Sequence, residues 1–319
     1  MSQNMPSAPT IAEVAKARVT DVMERRQISR SARAAALETH ASKVRMNLTL
    51  TLDNNHVSDT VVETAGYLVA AGDSWFDYPF PFDDDILVQL HDLHGYNIES
   101  SARHGDRIEN MPYSGGQLDK FRRCVDKLHD QGVIPKAALL SGGGNDFAGR
   151  EFGMLLNTAD STIKGWNLEI LTGLVTERLS NAYHVFILAI NQIAQEILGK
   201  TIPILIHGYD YPVPDGRGFL GGGIFPGPWL KPGFDEKLFT DLPSTTDMMR
   251  TIIDQFNAML STLPNDPTLG EIHYIDLRGT LSSIVVDEAY KDDWNNELHP
   301  TQKGFIEVAQ KFHDVLATL

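Results

Sequence analysis

Four short segments of this 319-residue chain bring together side chains that could do chemistry. They are Gly72-Asp73-Ser74-Trp75, His104-Gly105-Asp106, Gly142-Gly143-Gly144-Asn145-Asp146 and Glu297-Leu298-His299-Pro300-Thr301. Serine is a poor nucleophile until a neighbouring imidazole takes its proton. Acyl transfer also needs N–H groups aimed at the oxyanion that develops in the tetrahedral intermediate, each worth ~10²–10³ in rate. Ser74 offers the hydroxyl and His299 the imidazole. The Ser74 N–H, the Gly105 N–H and the Asn145 carboxamide offer three oxyanion donors. Glycine at 105 lets the backbone approach a ligand with no Cβ in the way.

These segments follow strands in the sequence pattern. Tyr67–Ala71 is an apolar run ending at Gly72, Tyr96–Ser100 reads as a second strand, and Ala137–Leu140 as a third that runs into the glycine triplet. Ile202–Ile206 and Ile272–Asp276 read as a fourth and a fifth. Helical stripes alternate with them. Asp83–Asp85 precede Ile86, Leu87, Leu90 and Leu93, with Gly95 as a stop, as a helix dipole and a C-terminal cap favour. Leu118, Phe121, Val125 and Leu128 form a stripe closed by Gly132; Leu168–Gly199 is helical; Met249 to Leu260 and Phe305 to Leu316 are amphipathic. Such alternation implies a largely parallel sheet with helices on both faces, whose ligands bind at the carboxyl ends of the strands. The glycine- and proline-rich loop Gly208–Gly233 is long enough to be a wall or lid of that site.

Upstream lies sequence of another kind. Thr10 and Glu13 have capping-box spacing, and Ile11, Val14, Val19 and Val22 follow at roughly helical intervals. Arg-rich sequence continues to Met46 with enough alanine for a second helix. Residues 1–60 are therefore expected to form a helical extension, and 61–319 the domain that carries the four segments. Its apolar stripe is too thin to fold alone, so it should dock on the body or on another subunit of a homo-oligomer.

Composition narrows the function. The chain is 42% hydrophobic and 22% charged, with one cysteine, Cys124, so no intrachain disulfide can form. Its longest apolar run, Val185–Ile190, is far short of the ~20 residues that span a bilayer. With no basic-then-apolar opening, a reducing, cytoplasmic setting is expected. Net charge is −15; residues 1–50 hold eight Lys/Arg against four Asp/Glu, leaving the remainder at −19. An acidic body repels phosphate backbones, so nucleic acid is not an expected partner. The basic segment is either a solvated helical face or a surface for an acidic partner, its own body included.

Other residues have plainer readings. The glycine triplet could cradle a phosphate, but no Walker lysine-serine pair accompanies it. His91 and His94 share a helix face, yet a lone pair is more often solvated than metal-bound. Asp73 should hold the serine's loop; Trp75, Phe76 and Tyr78 line an acyl pocket or pack the core. His207, Tyr209 and Tyr211 either touch substrate or do not, and Cys124 reads as inert.

Gly72-Asp73-Ser74, Gly105, Gly144-Asn145-Asp146 and His299-Pro300, in this order, resemble the SGNH (GDSL-like) hydrolases over residues 65–319. The resemblance implies a flavodoxin-like three-layer α/β/α fold with a five-stranded sheet. It implies Ser74 as nucleophile and oxyanion donor, Gly105 and Asn145 as the other donors, and His299 as base. One position departs from the pattern: where the family usually carries an aspartate three residues before the histidine, this chain has Asn296. Either Asn296 orients the imidazole through its carbonyl oxygen, or an upstream aspartate or a backbone carbonyl does; Asp293 is the expected recruit, because it is charged and has room to fold back. The implied activity is a serine carboxylic-ester hydrolase, working through a covalent acyl-enzyme on a small-molecule ester with a short acyl group, and without metal or cofactor. A lysophospholipase or thioesterase, or a binding protein on the same fold, are the alternatives.

Overall fold

The computed structural model describes residues 8–47, 64–79, 85–113, 115–149, 151–219 and 226–319. The expected boundary near residue 60 lies outside them, as do Asp83, Asp84 and part of the loop after the fourth strand. In chain order the elements are α1 (Ile11–Asn47), β1 (Gly66–Ala71), α2 (Ile86–His94), β2 (Tyr96–Ser100), α3 (Leu118–Asp130), β3 (Ala137–Leu140) and α4 (Gly144–Phe147). A small hairpin, β4 (Leu156–Asn157) and β5 (Gly165–Trp166), precedes α5 (Leu168–Thr172), which runs through a π-helical stretch (Gly173–Leu179) into α6 (Ser180–Leu198). Then come β6 (Ile204–His207), α7 (Lys231–Glu236), α8 (Leu242–Leu260), β7 (Ile272–Ile275) and α9 (Gln302–Leu316).

The five long strands form one sheet in the order β2-β1-β3-β6-β7, with every pairing parallel. That is the flavodoxin-like order, whose strand sequence reverses between β1 and β3. The crossover from β1 to β2 runs opposite to those from β2 to β3, β3 to β6 and β6 to β7. Right-handed crossovers therefore put α2 on one face and α3, α6 and α8 on the other. In agreement, α9 packs on α2, and α3 packs on α6. A sheet covered on both faces needs strands that are apolar on both sides. β3 and β6 are buried at every residue, as are the last four of β1.

Local chemistry sets the boundaries. Asp85 caps α2 by accepting from the Val88 N–H at 3.0 Å, and Gly95 ends it at φ 73°. Pro203 lacks the N–H that a ladder needs, so the fourth strand begins at Ile204 rather than at Ile202, and extends to His207. The expected pair of N-terminal helices is one helix of 37 residues, because no glycine or proline interrupts Ile11–Asn47. It lies across the outer side of α3 and α6, burying Ala15, Val19 and Val22. Arg26 pairs with Asp126 at 2.8 Å and Arg30 with Asp130 at 2.6 Å. Arg26 and Arg30 of the basic segment thus meet acidic side chains of their own body.

Candidate active site

The carboxyl ends of β1, β3 and β6 converge with the loop before α9. At the end of β1 the chain turns sharply, the Phe76 N–H donating to the Asp73 carbonyl at 3.1 Å. Gly72 is needed at this turn: a Cβ there would lie 2.8 Å from both Phe76 and Ser141. The Gln117 carboxamide clamps Gly72, accepting from its N–H at 2.8 Å and donating to its carbonyl at 2.6 Å. Asp73 holds the loop as expected. Its buried carboxylate accepts from the Trp75 N–H at 3.1 Å, the Ser141 hydroxyl at 2.8 Å and the Tyr209 hydroxyl. Burial pushes its carboxyl above the ordinary range against those three donors.

This turn delivers Ser74 to His299. The Ser74 Oγ lies 2.7 Å from His299 Nε2, across 225 residues of sequence. The Trp75 indole N–H donates to the Leu298 carbonyl at 3.0 Å and ties the two loops together. His299 Nδ1 lies 2.9 Å from Asn296 Oδ1, which also accepts from the Leu298 and His299 backbone N–H groups at 3.0 Å each. The two backbone N–H donors identify that atom as the oxygen, and an amide oxygen cannot donate. The ring proton therefore sits on Nδ1, leaving the Nε2 lone pair to accept the serine proton.

The structure places Asn296, not Asp293, against the imidazole. The Asp293 carboxylate accepts from the Ser282 N–H at 2.7 Å and pairs with Lys303. The charge that made Asp293 attractive is satisfied by Ser282 and Lys303 instead. With no carboxylate beside it, His299 is surrounded by uncharged groups, and burial alone pushes its pKa down to about 3.

Asn145 is the second residue of α4, and its carboxamide donates to the Asp106 carbonyl at 3.0 Å, which fixes its orientation with a second N–H to spare. Asp146 accepts from the Ile108 and Glu109 N–H groups at 2.9 and 3.1 Å, tying the same two loops, and burial raises it to about 7. Ser74, Asn145 and His299 line one cavity, walled by Phe147, Tyr209, Ile253, Trp294 and Leu298 among others. Gly105 has a φ of 78° and lies exposed on its loop, outside the lining of that cavity. Its loop is nonetheless tied to the serine's turn, the Arg103 N–H donating to the Gly72 carbonyl at 2.9 Å.

The other candidates fall elsewhere. His207 is wholly buried, its Nδ1 2.7 Å from the Gly208 carbonyl, and burial lowers it to about 4. Tyr209 serves Asp73 while lining the cavity, and the Tyr211 hydroxyl donates to Asp254 at 2.8 Å. Trp75 and Phe76 are core residues, and Trp75 also reaches the cavity. The glycine triplet is a packing device at Gly143, where a Cβ would meet Phe256 at 2.4 Å. His94 stacks on His313 at 4.0 Å, and among the described residues no group of three or more His, Cys, Asp or Glu could hold a metal. Burial raises the half-buried Cys124 thiol to about 11. Sequence reasoning missed Gln117, Ser141 and Glu297; each acts on residues far away in the chain, and no local spacing marks them.

No family model and no curated protein matches the chain. Among solved structures it is similar to a Bacteroides fragilis protein described provisionally as an acylhydrolase, at 12% identity over 86% of this chain and 93% of that one, with a TM-score of 0.41. It is also similar to a catalytic mutant of an acetylxylan esterase from Geobacillus stearothermophilus, at 12% identity over 80% and 95% of the two chains, with a TM-score of 0.41. A third is a GDSL-like lipase from Bacteroides thetaiotaomicron, at 11% identity over 80% and 89%, with a TM-score of 0.38.

Proposed function

We propose that this chain is a serine carboxylic-ester hydrolase of the SGNH type, acting through a covalent acyl-enzyme on small esters with a short acyl group. One observation carries the reading: the 2.7 Å contact between Ser74 Oγ and a His299 Nε2 whose lone pair is presented by the Asn296 hydrogen bond. As Ser74 Oγ attacks the ester carbonyl, its proton passes to His299 Nε2, and the carbonyl π electrons move onto oxygen. That oxyanion is met by the Asn145 carboxamide and the Ser74 N–H. Collapse breaks the bond to the alcohol oxygen, which leaves with the proton from Nε2. Water then repeats the cycle, releasing the acid and restoring Ser74.

In this reading the acyl group enters the cavity beside Ser74, among the side chains of Phe147, Tyr209, Ile253, Trp294 and Leu298. Hydrolysis of p-nitrophenyl acetate, butyrate and octanoate tests this directly. The acetate should turn over fastest, and Ser74→Ala should abolish turnover of all three. Near-wild-type turnover in that variant would end the serine mechanism, and a preference for octanoate would end the short-acyl reading.

A further inference from the structure

Between Asn296 and His299 stands Glu297, wholly buried, with a carboxylate that the reaction does not use. Its Oε1 accepts from the Gly216 and Lys231 N–H groups at 2.9 and 3.0 Å, and its Oε2 from the Trp229 and Leu230 N–H groups at 2.6 and 2.8 Å. All four donors belong to the long loop between β6 and α7 or to the first residue of α7. The fastening is reciprocal: the Glu297 N–H donates to the Arg217 carbonyl at 3.2 Å, and the Arg217 guanidinium donates to the Trp294 and Asn295 carbonyls at 2.9 and 3.0 Å. The loop so held sets two rings against the imidazole. Phe219 stacks on His299 with centroids 5.0 Å apart, and Trp229 meets it edge-on at 5.8 Å.

We propose that Glu297 is a positioning residue: its buried carboxylate fastens the loop between β6 and α7 to the His299 loop, so that Phe219 and Trp229 keep water off the imidazole. Four backbone N–H groups on one carboxylate are charge-assisted bonds, the strong kind, and they tie Gly216, Trp229, Leu230 and Lys231 to the His299 loop. What faces His299 is uncharged: Ser74 Oγ, Asn296 Oδ1, and the rings of Tyr78, Phe219 and Trp229. Of the ionisable residues lining the cavity, Asp73 is turned to Ser141, Tyr209 and the Trp75 N–H, and Asp210 to the Tyr211, Gly279 and Leu281 N–H groups. Water exclusion is therefore what sets the imidazole's affinity for a proton, and Glu297 sets the water exclusion. Its consequence for catalysis rests on the proposed role of His299 as base; the exclusion itself does not.

The test is the titration of the His299 ring by NMR, its signal assigned by loss in His299→Ala, in the wild-type chain, Glu297→Gln and Phe219→Ala. Glutamine turns two of the four N–H groups toward an NH₂ that cannot accept. In Glu297→Gln the His299 midpoint should rise from about 3 toward the ordinary ~6.5. The acid limb of p-nitrophenyl acetate hydrolysis should rise with it, and kcat should fall by up to ~10²-fold, the cost of about 1 Å of misplacement. Phe219→Ala leaves the carboxylate anchor intact and should move the midpoint the same way. An unmoved midpoint in a folded Glu297→Gln overturns the proposal, and so does an unmoved midpoint in Phe219→Ala where Glu297→Gln fails to fold. A wild-type chain without hydrolase activity would sink the proposed function and leave the NMR midpoints to decide this inference alone.

Discussion

The end of β6 and the loop before α9 each bury a histidine, and the two regions use the ring in different ways. At the end of β6, His207 sits among the rings of Trp75, Phe76, Tyr209 and Phe312, with Nδ1 on its neighbour's carbonyl and, among the described residues, no partner for Nε2. Before α9, His299 has a hydroxyl on one nitrogen and an amide oxygen on the other. Burial lowers both, to about 4 and about 3, so a depressed pKa does not distinguish a base from a packed ring. The partners of the two nitrogens do. A base needs one nitrogen fixed as donor and the other left to face a proton it can take.

Breaking that difference at His299 should have the largest effect. His299→Ala should lower turnover on p-nitrophenyl acetate by ~10⁴-fold or more, because the serine loses its proton acceptor. Steady-state kinetics checks it; a loss under tenfold would put His299 in the same class as His207.

Next in size is Asn145→Ala, expected to lower kcat by ~10²-fold with KM little changed, since a group that meets only the developing oxyanion acts in the transition state. A rise in KM at constant kcat would make Asn145 a ground-state contact.

The third prediction sharpens what orients the ring. His299 accepts a proton only when neutral, so wild-type activity should persist as pH falls and be lost near its pKa of about 3. Asn296→Asp puts a negative charge beside Nδ1, which favours imidazolium and raises that pKa, so the acid limb should move up. Thermal stability should fall as well, because among the described residues the buried Asn296 Nδ2 has no partner, and a carboxylate oxygen in its place would be equally bare. Asn296→Ala should slow turnover with the ring no longer held, whereas Asp293→Asn should leave rate and pH profile alone and cost stability through its Lys303 pair. Reversed outcomes in the pH–rate profiles would make Asp293 the orienting group.

The smallest effect on rate is expected at His207. Changing it to Phe keeps the ring packing but loses the bond to the Gly208 carbonyl, a matter of about 1 kcal/mol. The melting temperature should drop by a few degrees with kcat near wild type; a large kcat loss at unchanged stability would give His207 a part in the chemistry.

The same contrast shows what the amino-acid order discloses. Strands were legible as apolar runs bounded by glycine, and Gly95 and the Asp85 cap marked α2, because those signals are local. Ser74, Asn145 and His299 were legible because each follows a strand or precedes a helix at one edge of the sheet. The choice between Asn296 and Asp293 was not legible, since which of them reaches the ring depends on Lys303 and Ser282 competing for the charge. Gln117 and Glu297 were invisible for a similar reason: their carboxamide and carboxylate serve backbone groups 45 and 66–81 residues away.

Covalent capture of Ser74 tests the central claim most directly. A fluorophosphonate reacts with a serine only where a base takes its proton and donors hold the phosphoryl oxygen. Intact mass followed by peptide mapping should show one adduct per wild-type chain, on Ser74, absent from Ser74→Ala and formed far more slowly in His299→Ala. An unmodified wild-type chain, or an adduct on another serine, would contradict a Ser74–His299 nucleophile.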